Sequence, residues 1–187
     1  LSGAPATDFT GVMHATIFDN IETVVCRNNA GTAAAPLSYR ERTKTIFVGG
    51  DSVRKGEFAF SFRVPMDINY SQKNGLINLY AVNDTRKREA QGSYDGFLLG
   101  GTKEGLVNDS LGPKVEIYLN SPDFVTGDRV NENPRLMVML EDSDGINTVG
   151  NGIGHDLVAI IDGMAALTYN LNDYYVSELG DYTRGTV

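Results

Sequence analysis

Residues 141–163, EDSDGINTVGNGIGHDLVAIIDG, bring Asp142, Asp144, His155, Asp156 and Asp162 into one neighbourhood. Glycines at 145, 150, 152 and 154 permit tight turns between them. An imidazole beside carboxylates suits proton transfer. The same stretch is rich in oxygen. A hard cation takes about six to eight oxygen ligands, and Asp142, Ser143, Asp144, Asn147 and Asp156 could supply side-chain ligands. Asp142, Asp144 and Asp156 are the metal candidates, with calcium as the ion. The D-x-D-G start lacks the glutamate that closes an EF-hand loop. Asp and Asn beside glycine are also what turns use for local hydrogen bonds. A catalytic centre, a metal loop and an ordinary loop joining two strands all remain open on these residues.

Nucleophilic chemistry would need Cys26 within hydrogen-bond reach of an imidazole, His14 or His155, with a third group orienting it. Cys26 is the only cysteine, so no internal disulfide exists, and a free cysteine often packs as a small hydrophobe. Tyr169, Tyr174, Tyr175 and Tyr182 could stack on sugars, although tyrosines alternating in strands more often pack with the hydroxyl at an edge.

The elements that must position these groups read as short strands. FTGVMHATIF, IETVV, TIFVG, LINLYAV, YDGFLLGG, VEIYLN, FVTGDRV, RLMVMLE, LVAIID and ALTYNLN are β-branched or aromatic runs separated by turn formers. The clearest is residues 57–64, where Phe58, Phe60, Phe62 and Val64 recur at every second position. Pro65 stops it, and Asn74-Gly75 marks a turn. No segment sustains a helical apolar stripe. The pattern predicts an all-β chain of tandem immunoglobulin-like, antiparallel β-sandwich units. Residues 1–8 form a flexible lead-in, 9–101 a first unit, 102–113 a linker, and 114–187 a second unit short of a full set of strands. That shortfall, and Leu1 in place of an initiator methionine, predict a longer natural polypeptide.

The 187 residues carry a net charge of -8, which argues against binding a phosphate backbone. Arg86-Lys87-Arg88 is flanked by Asp84 and Glu89 and reads as a solvated turn. No apolar run reaches the roughly 20 residues of a membrane-spanning helix.

The strings GEFAFSFRVPMDINYSQKNGLINLYA, GPKVEIYLNSPDFVTGDRVNENP, DSDGINTVGNGIGHDLVAIIDG and LNDYYVSELGDYTRGTV resemble the non-catalytic β-rich region of the gingipain-like sortases of the type IX secretion system. These are cell-surface cysteine peptidases of Bacteroidetes that remove C-terminal signals from secreted cargo. The resemblance covers residues 9–187. It implies a fragment that is not itself an enzyme, because the family's catalytic His and Cys lie in a preceding peptidase domain and Cys26, in VVCRNN, matches neither motif. It further implies no cofactor, a place on the extracellular side of the outer membrane, and partners among the adjacent peptidase domain, secretion-system proteins and cargo. A surface module binding carbohydrate or peptide is the alternative.

Overall fold

The computed structural model describes residues 4–29, 31, 35–65, 68, 72–101, 111–148 and 156–187. These are organised around two four-stranded antiparallel sheets. The first is built from β1 (Gly11–Phe18), β4 (Thr45–Val53), β6 (Leu76–Asn83) and β7 (Glu89–Tyr94), in the order β4-β1-β6-β7. Alternation along β1 explains its place at the centre. Met13, Ala15 and Ile17 are fully buried, while His14, on the other face, is exposed. Phe9, Ile46, Val53, Ile68 and Leu99 complete this core.

The segment 57–64 differs from the expected strand. Glu57 forms a single bridge with Arg54, and no ladder follows. Phe60 and Phe62 stack on Phe47 of β4, with ring centroids 6.3 and 5.0 Å away, whereas Phe58 and Val64 are exposed. The every-second-residue pattern therefore reports an extended chain laid across the core by its side chains, without a hydrogen-bonded strand partner among the described residues.

Asn74-Gly75 is likewise not a hairpin tip. Asn74 belongs to β5 (Lys73–Asn74), which pairs with β8 (Leu98–Leu99), and its side-chain amide donates to the Asp95 carbonyl at 2.7 Å. The expected YDGFLLGG run is thus split between β7 and β8. β2 (Glu22–Val25) pairs with β3 (Ser38–Glu41) as a separate ribbon. The polar composition of β3 had given no strand signal.

The second sheet runs β13-β14-β10-β9, from β9 (Lys114–Leu119), β10 (Leu136–Glu141), β13 (Val176–Glu178) and β14 (Asp181–Thr186). Its buried core is Val138, Leu140 and Tyr175, with Ile146, Leu157 and Val187 packed against it. FVTGDRV forms no strand: the Asp128 carboxylate accepts from the Val125 N–H at 2.8 Å and folds this stretch into a turn. β11 (Val158–Ile160) and β12 (Thr168–Asn170) pair as a small hairpin. The two sheets meet where Gly50 of β4 bridges Leu179 and the Gly180 N–H donates to the Gly50 carbonyl at 2.8 Å. Residues 102–113 run between β8 and β9, and 102–110 of them lie outside the described residues. Among the described residues no helix is long and apolar enough to cross a membrane.

Candidate functional site

The acidic stretch leaves the end of β10. Glu141 faces Arg184 of β14 in register, and the guanidinium makes two bonds to one carboxylate oxygen, at 2.9 and 3.2 Å. The pairing raises the Arg184 pKa, through that hydrogen bond first and the carboxylate charge second. The Asp142 N–H then donates to the Thr183 carbonyl at 2.8 Å, and its Oδ1 accepts the Asp144 N–H at 2.8 Å. This is the local turn bond that Asp side chains favour. Gly145 follows at φ +84, over the Tyr182 ring.

Asp144 is brought to Asp142 by this turn, but its carboxylate is ion-paired with Arg63 from the extended aromatic segment. Both side chains are about two-fifths exposed, so the contact fixes the approach of the loop more than it stabilises the fold. Asp156 serves a different contact. Its Oδ1 accepts from the Asn172 side-chain N–H at 2.8 Å, and the Asn172 side-chain oxygen Oδ1 accepts the Leu157 N–H at 2.8 Å. Asn172 therefore clamps residues 156–157 at the entry to β11.

His155 and the glycines at 150, 152 and 154 lie outside the described residues. Asp162 sits at φ +52 in the turn after β11. Among the described residues, no group of three or more His, Cys, Asp or Glu side chains is arranged to hold a metal ion.

Cys26 is exposed just beyond β2, and its N–H donates to the Leu37 carbonyl at 2.8 Å. His14 stands in the middle of β1, opposite Gly50 and Tyr80. No hydrogen bond joins Cys26 to His14 among the described residues.

The tyrosines do not form one platform. Tyr169 and Tyr174 are exposed, Tyr175 is buried in the second core, and Tyr182 lies beneath Gly145. Burial pushes the Tyr175 phenol pKa up, with Asp181 and Glu178 adding to the effect.

Arg63 and Asn172 were not legible as parts of this loop, because their partners are distant in sequence. Asn172 had a local cue in the polar LND turn, but nothing in the sequence connected that turn to Asp156.

No family model matches the chain, and no curated protein matches it. Among solved structures it is similar to dimeric latent PorU from Porphyromonas gingivalis, with 34% identity and a TM-score of 0.54. The similarity covers 97% of this chain and 17% of that one. The chain is thus a β-rich region related to part of a much longer polypeptide.

Proposed function

We propose that this chain is a non-catalytic, accessory β-sandwich region of a cell-surface gingipain-like cysteine peptidase that processes the C-terminal signals of type IX secretion cargo. The observation that carries the reading is the similarity to PorU across 97% of the chain, which agrees with the family resemblance of its sequence strings. The arrangement of its own polar groups supports a structural role. Asp142, Asp144 and Asp156 are engaged in a turn bond, an ion pair and a side-chain clamp.

In this reading the peptidase domain supplies the catalytic His and Cys, and the two sheets orient that domain or present cargo to it at the outer surface of the cell. The region needs no cofactor. Its partners are the adjacent peptidase domain and proteins of the secretion system or its cargo. The unit boundaries at 9–101 and 114–187 belong to the same proposal.

The open reading frame that encodes the chain tests this directly. A His/Cys peptidase domain encoded upstream in the same frame is the expected result. A complete frame without one would favour a free-standing surface binder.

A further inference from the structure

We propose that the outer edge of β7 is a docking site for an extended peptide, which adds to the first sheet as a fifth, antiparallel strand. The two sheets treat their edges differently. β4 meets the residue that follows β13 through the Gly50–Leu179 bridge, and β9 begins at Lys114, directly after Pro113, residue types that discourage further pairing. β9 also exposes Val115 and Ile117, but nothing in the structure selects an occupant for that apolar surface. β7, EAQGSY, contains neither lysine nor proline, all six of its residues are exposed, and among the described residues no strand pairs with its outer side.

The backbone pattern identifies which groups are offered. The Asn83 N–H donates to the Arg88 carbonyl at 3.1 Å, so Asn83 and Arg88 face each other as a hydrogen-bonded pair. Hydrogen-bonded and non-hydrogen-bonded pairs alternate along an antiparallel ladder. The β6–β7 register then makes Ala81–Ala90, Leu79–Gly92 and Ile77–Tyr94 the bonded pairs. Glu89, Gln91 and Ser93 consequently turn their N–H and C=O groups outward. A row of alternating donors and acceptors is satisfied in full only by another extended backbone.

The side chains specify more. Ala90, Gly92 and Tyr94 continue the core-facing side of the sheet, in line with Met13, Ala15 and Ile17. A Cβ added at Gly92 would meet nothing within 4 Å, and the Tyr94 ring stacks on Phe97 at 6.1 Å to wall one end of this space. An incoming side chain beside Gly92 has open room on this face, and one next to the exposed Tyr94 ring can pack on it, which suits an apolar residue at that position. The opposite face, carrying Glu89, Gln91 and Ser93, suits polar residues.

The probe is a capped peptide of about seven residues that alternates valine and threonine, the length of an ordinary strand, with a lysine at each end for solubility. The full chain should bind it saturably and should not bind a control peptide in which prolines replace the threonines. Gln91→Pro removes an outward N–H while leaving the β6 ladder intact, and should weaken binding by about tenfold or more. In the wild-type chain, amide exchange at Gln91 and Ser93 should slow when the peptide is added, a readout that does not depend on how the variant folds. Absence of saturable binding, unchanged exchange at Gln91 and Ser93, or full affinity in a folded Gln91→Pro chain would each overturn the proposal.

Discussion

Replacing Gly185 with alanine should dismantle the core of the second sheet and leave that of the first in place. Gly185 lies on β14 opposite Leu140, directly beneath the buried Tyr175 ring. A Cβ there would come within 2.4 Å of three Tyr175 ring and hydroxyl atoms, where carbon atoms rest at about 3.5–4.0 Å. The ring must therefore move by about 1 Å or more. Overpacking of this kind costs about 1–3 kcal/mol, and drawing a large side chain out of a core costs about 1.5–3 kcal/mol. Since the ring escapes the first cost only by incurring part of the second, the net loss should be about 2–3 kcal/mol. Among the described residues this core is small, Val138 and Leu140 being the buried apolar side chains beside Tyr175 with Ile146, Leu157 and Val187 packed against them, so little can compensate. Urea unfolding followed by tyrosine near-ultraviolet circular dichroism gives the magnitude, since the chain has no tryptophan. Hydrogen exchange should show β10 and β14 losing protection while β1 and β6 keep theirs. Gly92→Ala, with open space around the new methyl, should instead be neutral or stabilising by up to about 1 kcal/mol. A Gly185→Ala chain within about 0.5 kcal/mol of wild type would refute the steric reasoning.

The Tyr175 hydroxyl is buried without a hydrogen-bond partner among the described residues, so Tyr175→Phe should leave stability at pH 7 unchanged or raise it by up to about 1 kcal/mol, as read from urea midpoints. Burial raises the folded-state pKa of this phenol above its ordinary 10.0. Its contribution is therefore fully present below pH 10 and declines as pH rises towards the folded-state value, by at most about 1.4 kcal/mol per pH unit. Tyr175→Phe should flatten that alkaline decline, and an identical decline in the variant would contradict the assignment. Calcium or a chelator should leave the melting temperature unchanged, because the Asp142 and Asp144 carboxylates already serve the turn and Arg63. A calcium-dependent rise that disappears in Asp142→Asn would restore the metal reading.

The all-β class was legible because alternation survives in β1, β6 and β10, whose side chains divide between a face packed on the core and a more open one. Alternation in residues 57–64 was equally clear, yet it could not distinguish a ladder from a lone extended segment, since Phe60 and Phe62 bury one face in either case. β3 was hidden for the converse reason: its exposed residues have no apolar face to report. In the acidic loop, the turn chemistry of Asp142, Asp144 and Gly145 could be read locally, as a bond from a side chain to a nearby N–H. The Arg63–Asp144 and Asp156–Asn172 contacts could not, because they depend on how separate segments are brought together in the fold. Tyr175 and Tyr182 looked like their exposed neighbours Tyr169 and Tyr174 because one-dimensional spacing does not indicate which ring a glycine such as Gly185 or Gly145 will admit.

The proposal that this region performs no catalysis of its own is checked by incubating the purified chain with a diverse peptide mixture under reducing conditions and measuring cleavage by mass spectrometry. No cleavage above the protein-free blank is expected, and none that changes in Cys26→Ala. Turnover by the wild-type chain that disappears in Cys26→Ala would contradict it.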